Sequence, residues 1–103
     1  MKKIMAVYDV DSRYADRFAE FANQREQVLF KVVAFTSLEK LREFSKREQI
    51  DLLLVGDSVA EKELEGIQAL QTVRLSETGI AKEGEAVVYK YQDSDSLLRE
   101  VMS

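Results

Sequence analysis

The chain has 103 residues, of which 46% are hydrophobic, and a formal net charge of −4. This length suits one domain with a real core and is too short for two ordinary domains. Cysteine and histidine are both absent, which excludes thiol chemistry, disulfides, imidazole metal ligands and a histidine general base. We therefore expect a single domain over residues 1–103, in which any catalysis would have to rest on carboxylates, Lys, Tyr, Ser or Thr.

Charge is unevenly distributed between the two halves of the chain. Residues 1–50 carry ten Lys/Arg and eight Asp/Glu, whereas residues 51–103 carry five and eleven. Neither half has the clustered basic surface that phosphate-backbone binding needs, so direct nucleic-acid binding is not expected. The longest aliphatic run, Leu52–Val55, is too short to cross a bilayer. The first apolar stretch stops at Asp9, too early for a signal peptide. The sequence predicts a cytoplasmic protein that does not insert into membranes.

The chain begins with alternating strand-like and helix-like segments. The apolar run Ile4–Tyr8 predicts a first, buried strand. Helical periodicity follows from Ser12 onward, and either Asp11 or Ser12 can cap the first turn of this helix. Val28–Phe35 predicts the second strand.

The middle of the chain continues the alternation. The capping box Thr36-x-x-Glu39 predicts the start of the second helix. Ile50–Val55 predicts a third strand that is apolar on both sides, which is typical of a central strand in a parallel sheet. Ala60–Glu65 is a short, charged helical stretch, and Leu70–Leu75 predicts the fourth strand.

The last third completes a doubly wound pattern. Ala86–Tyr91 predicts a fifth strand and Ser94–Met102 a closing helix. The segment between the fourth and fifth strands, Glu77–Glu85, contains two glycines and predicts a loop or a single turn in place of a fourth helix. The order predicts an α/β, flavodoxin-like three-layer sandwich with a five-stranded parallel sheet in the order 2-1-3-4-5.

Polar residues lie at the ends of several predicted strands, in a pattern that is similar to a known family. Asp9 follows the first strand, Ser76 the fourth, and Lys90 lies in the segment YKYQDS at the end of the fifth. With this pattern the whole chain resembles the receiver domain of two-component response regulators. Such side chains converge because parallel strands present their carboxyl ends at one edge of the sheet. The resemblance implies a vestigial pocket, formed by Asp9, Asp11, Gly56, Asp57, Ser76 and Lys90.

The departures from the receiver pattern decide what the resemblance implies about function. Gly56 stands at the position of the phosphoacceptor aspartate, and Val10 at that of the second acid. Val87 replaces the switch aromatic, and Tyr91 the proline after the lysine. The resemblance therefore implies a pseudo-receiver that is not an enzyme. It would bind partners without being phosphorylated and take no cofactor beyond weak Mg²⁺ binding.

Alternatives remain open at several pocket residues. A bulge at Gly56 would re-aim Asp57, so that a divergent receiver could be phosphorylated there. Asp9 could hold Mg²⁺, lie solvated at the end of its strand, or form a buried ion pair with Lys90. Asp11 is favoured as a helix cap over a metal ligand. Ser76 is favoured as a hydrogen-bonding loop residue over a phosphoryl switch. A small-molecule site between the first and third strands has no glycine-rich phosphate loop to support it.

Two further features concern partners. Tyr89 and Tyr91 are predicted to flank Lys90 on the face opposite to it, either in an interface of a homodimer or at the edge of the core. The phrases VAFTSLEKL, from Val33, and YKYQ are similar to the atypical receivers of TadZ/CpaE-type ATPases, relatives of ParA and MinD that help to assemble and localise pili. This resemblance implies a protein partner, either a linked ATPase domain or the pilus machinery.

Overall fold

In a computed structural model of the protein, the strands form one parallel sheet in the order β2-β1-β3-β4-β5. The structure describes residues 2–25, 29–81 and 84–102. The strands span Lys3–Tyr8 (β1), Phe30–Phe35 (β2), Ile50–Gly56 (β3), Ala69–Ser76 (β4) and Val87–Tyr89 (β5). The flavodoxin-like strand order predicted from the sequence is confirmed.

Helices cover both faces of the sheet. They span Ser12–Asn23 (α1), Leu38–Arg47 (α2) and Ser94–Met102 (α3), and a short 3₁₀ helix occupies Glu61–Leu64. α1 and α3 pack together on one face, and α2 lies on the other. In the described parts of the segment between β4 and β5 there is no fourth helix, as predicted. No helix in the described part of the chain is long and apolar enough to cross a membrane.

Each face of the sheet has its own apolar core. The core under α1 and α3 takes one set of alternate strand residues, including Leu54 and Leu75. The core under α2 takes the other set, including Leu53 and Val55. Consecutive residues of β3 therefore point into opposite cores, since side chains alternate along a strand. This double burial explains why the third strand is a continuous apolar run.

Helix caps match the sequence for α1 and differ by one residue for α2. The side chain of Asp11 accepts hydrogen bonds from the backbone N–H groups of Arg13 and Tyr14, as expected of an N-cap. The predicted cap at Thr36 is wrong, because Ser37 caps α2 and its Oγ accepts the N–H of Lys40 at 3.1 Å. The backbone of Ser37 is extended, so the helix begins at Leu38, one residue later than the capping box predicts.

Strand boundaries differ most in β5. The predicted strand ran to Tyr91, whereas the observed one ends at Tyr89. β4 ends at Ser76, which is paired with Tyr89, so residues beyond that point have no strand beside them. The predicted start of β2 at Val28 lies outside the described residues, and β2 is observed from Phe30.

Candidate functional site

Loops after four of the strands meet at the carboxyl edge of the sheet. β1 and β3 are in register with Tyr8 opposite Val55, so the next residues, Asp9 and Gly56, lie side by side. Lys90 follows β5, and its N–H donates to the carbonyl of Ser76 at 2.8 Å. The parallel register thus brings together the residues that the sequence placed at the ends of different strands.

The centre of this site is a buried ion pair. The Lys90 Nζ donates to Asp9 Oδ1 at 3.0 Å, and the two side chains are 8% and 2% exposed. The backbone N–H of Asp11 also donates to Asp9 Oδ1, at 2.9 Å. Both charges are therefore compensated within the protein, as buried charges require. Of the roles left open for Asp9, the structure shows the buried ion pair.

Two tyrosine rings enclose the Lys90 ammonium group. Its nitrogen lies 4.9 Å from the ring centre of Tyr14 and 5.5 Å from that of Tyr91, distances suited to cation–π attraction. The Tyr14 hydroxyl donates to the Lys90 carbonyl at 3.0 Å. Burial, with Asp9 and Tyr91 contributing less, raises the pKa of Tyr14 to about 12. The Lys90 ammonium group is thus bound by the Asp9 carboxylate and contacted by the rings of Tyr14 and Tyr91.

Gly56 is the residue that shapes the acidic side of the site. It is buried, and a Cβ built on it would lie 3.0 Å from Cγ of Asp9 and closer still to Oδ2. Its backbone φ is not positive, so the requirement for glycine is one of space and not of conformation. The Asp9 carboxylate occupies the volume that any side chain at position 56 would need.

Asp57 directly follows Gly56 in the chain, but its environment differs from that of the buried ion pair. Its side chain is exposed, and its backbone N–H donates to the carbonyl of Leu75 at 3.0 Å. The β3–β4 register continues without interruption to the pair Gly56 and Leu75, so the bulge that would re-aim Asp57 is not formed. Across the described ranges 2–25, 29–81 and 84–102, no three acidic side chains come close enough to share a metal ion.

The remaining pocket residues have local hydrogen-bonding roles. Asp11 caps α1, and Val10 next to it is 66% exposed. Ser76 is buried, and its Oγ accepts the N–H groups of Thr78 at 3.3 Å and Gly79 at 2.9 Å. Ser76 therefore stabilises the turn after β4, the role that the sequence analysis favoured for it.

The two tyrosines form an exposed corner of the molecule. The rings of Tyr89 and Tyr91 meet nearly edge to face, with centres 5.9 Å apart, and the residues are 41% and 57% exposed. The Tyr91 hydroxyl donates to Glu77 at 3.2 Å. The prediction that both flank Lys90 from the opposite face is wrong for Tyr91, whose ring covers the ammonium group because β5 has already ended.

Arg74 is a structural residue of the site that the sequence analysis missed. It is only 4% exposed, and its guanidinium donates to the carbonyls of Gly56, at 3.1 Å, and Val59. It also pairs with Glu61 at 2.9 Å. The signal was present as the one charged residue of β4, which is otherwise made of apolar and uncharged polar residues. Arg74 holds the loop after β3, and with it the position of Gly56 beside Asp9.

Comparisons with known proteins assign no family to this geometry. No family model matches the chain, and no curated protein matches its sequence.

Proposed function

We propose that this protein is a phosphorylation-independent pseudo-receiver, a protein-binding module with a receiver-like fold and no phosphoryl transfer of its own. The observation that carries the proposal is the packing of Gly56 against Asp9. A phosphoacceptor at position 56 would need the space that the Asp9 carboxylate fills. In this interpretation, the ion pair between Asp9 and Lys90 has a structural role.

The electrostatics of the site support the same proposal. A phosphoryl group adds a charge of about −2, which nearby cations must offset. Lys90 is already paired with Asp9 and covered by aromatic rings, so it is not free to pair with an incoming anion. The exposed Val10 stands where receivers carry a second acid, which leaves fewer oxygen ligands for Mg²⁺. Phosphorylation would have to disrupt a buried pair that is compensated without it.

The partner of such a module is a protein. The similarity to TadZ/CpaE-type receivers favours a linked ATPase domain or the pilus machinery, in the cytoplasm. The exposed Tyr89–Tyr91 corner supports an interface, because partly buried tyrosines combine a large apolar area with a hydrogen-bonding group.

A second candidate function is a divergent receiver phosphorylated on Asp57. The observation in its favour is that Asp57 is an exposed carboxylate directly after the central strand. Against it, Asp57 lies one residue after the acceptor position. Because side chains alternate along a strand, a shift of one residue normally points the side chain to the opposite face of the sheet.

Intact-mass spectrometry after treatment with acetyl phosphate and Mg²⁺ separates the two candidates. We expect no phosphoryl adduct on the native protein, while a response-regulator receiver treated in parallel is labelled. Asp57→Asn tests the alternative, and Asp16→Asn, at an exposed position on α1, is its matched control. An adduct that disappears in Asp57→Asn and persists in Asp16→Asn would establish the second candidate instead.

A further inference from the structure

The two edge strands of the sheet differ in length. β5 forms one edge with three residues, whereas β2 forms the other with six, and no described strand lies beyond β2. The outward N–H and C=O groups of an edge strand can pair with another chain, and a very short edge strand limits that risk. The longer edge, at β2, is therefore the one that needs protection.

The residues of β2 favour pairing at this edge. The segment Phe30–Phe35 contains five apolar residues and one lysine, and it has neither glycine nor proline. Short segments of high β-propensity and low charge are the ones that pair most readily with other strands. Along a parallel strand, the backbone N–H and C=O groups of alternate residues point to opposite edges. One set of β2 residues therefore bonds to β1, and the other set points away from the sheet.

The side-chain amide of Asn23 occupies the middle of this outer edge. Its Nδ2 donates to the carbonyl of Val32 at 2.8 Å, and its Oδ1 accepts the N–H of Val32 at 2.9 Å. Here this doubly bonded contact is called the edge lock. Because Val32 belongs to the outward set, the backbone groups of Phe30 and Ala34 also point outward, one on each side of the edge lock.

An asparagine is chemically suited to this place. Its amide carries donors and acceptors together, so one side chain supplies both bonds that a neighbouring strand would supply. Asn23 is the last residue of α1, and α1 packs against β2, which brings the amide to the edge. An alanine there would leave both backbone groups of Val32 without these partners.

We infer that the edge lock prevents β2 of one copy of this chain from pairing with β2 of a second copy. Two identical outer edges related by a two-fold axis at Val32 would pair antiparallel, with Phe30 opposite Ala34. The edge lock occupies the central pair of that ladder, so it blocks the arrangement at its axis. This blocking contact uses no residue of the carboxyl-edge site, and the inference does not depend on the proposed function.

Amide hydrogen exchange measured by NMR on the native protein tests the edge lock itself. Val32 and Ala34 both point outward, and Val32 is the one bonded to Asn23. We expect the protection factor of the Val32 amide to exceed that of the Ala34 amide by about tenfold or more. Equal protection of the two amides would overturn the inference, and the measurement requires no variant.

Sedimentation velocity over a concentration series tests what happens when the edge lock is removed. We expect Asn23→Ala to raise the association constant by about tenfold or more over the native protein, because Val32 then offers two unpaired backbone groups. Gln24→Ala is the matched control. Gln24 is the next residue and is also exposed, and its side chain makes no hydrogen bond within residues 2–25, 29–81 and 84–102. The control is expected to sediment as the native protein does.

Hydrogen exchange on the associated Asn23→Ala protein locates the new contact. Pairing through β2 is expected to raise the protection of the Ala34 amide severalfold at concentrations where the variant associates. The amide of Leu54, in the central strand, is the internal reference, because a general loss of stability would lower its protection too. Circular dichroism checks that each variant is folded, and Asn23→Ser replaces Asn23→Ala if the alanine variant does not fold.

Two further results would contradict the inference. One is an Asn23 variant that is folded but associates no more than Gln24→Ala. The other is association that leaves the Ala34 amide as unprotected as it is in the dilute protein, because the contact would then lie elsewhere on the molecule.

Discussion

Replacing Gly56 with alanine probes the packing at the carboxyl edge of the sheet. The added methyl group would lie 3.0 Å from Cγ of Asp9 and closer to its Oδ2. Gly56 has no positive φ, so alanine meets no backbone strain there. In a strand with free space, the same change gains about 0.5–1 kcal/mol from reduced backbone entropy. Any loss of stability therefore reports the contact with Asp9.

The size of that loss follows from what holds Asp9 in place. Its Oδ1 is bound by Lys90 at 3.0 Å and by the N–H of Asp11 at 2.9 Å, so the carboxylate cannot move away without weakening one of them. Overpacking a core costs about 1–3 kcal/mol, and separating a buried ion pair costs up to about 3–5 kcal/mol. We expect Gly56→Ala to lower the free energy of unfolding by about 3 kcal/mol.

Urea unfolding monitored by circular dichroism measures this loss. The informative control is the same substitution in an Asp9→Ala/Lys90→Met background, which removes the obstructing carboxylate and its partner together. There we expect Gly56→Ala to be neutral or to stabilise by up to about 1 kcal/mol. A loss below about 1 kcal/mol in the native background, or an equal loss in both backgrounds, would refute the steric argument.

Two further predictions concern the neighbours of this site. Arg74→Met should lower the free energy of unfolding in urea by about 2–4 kcal/mol, because the Gly56 and Val59 carbonyls lose a charged donor. The control Glu61→Gln, at a side chain that is 84% exposed, should lower it by less than about 1 kcal/mol. Equal losses in the two variants would contradict this prediction. The pKa of Tyr14, about 12 against 10.0, means that the fold favours the neutral phenol, so its contribution to stability is complete below pH 10 and is lost as pH rises towards 12. Ultraviolet titration should show that Tyr14→Phe removes a high-pH tyrosine step, and an unchanged titration would refute this.

Much of the fold could be predicted because the chain's patterns are local and consistent. A third strand that is apolar on both sides requires helices on both faces, which places Ile50–Gly56 at the centre of a parallel sheet. A glycine-containing segment between β4 and β5 predicted a loop there, and the described residues of that segment form no fourth helix. The cap at Asp11 followed from residue type and position alone.

Other features depended on contacts that no local pattern contains. The predicted end of β5 at Tyr91 was wrong, because a strand ends where its hydrogen-bonded neighbour ends. β4 ends at Ser76, which pairs with Tyr89. That shorter strand put the Tyr91 ring over Lys90 instead of on the opposite face. The burial of Arg74 depended on carbonyl groups more than ten residues away in the chain.

The sequence by itself determined the order of the strands and helices and the set of polar residues at the carboxyl edge of the sheet, because hydrophobic periodicity and the geometry of parallel strands settle both. Only the tertiary structure decided how those residues are used. The distance between Asp9 and Lys90, and the absence of space beside Gly56, arise from the register of separate strands, which packing sets and which residue type alone does not specify.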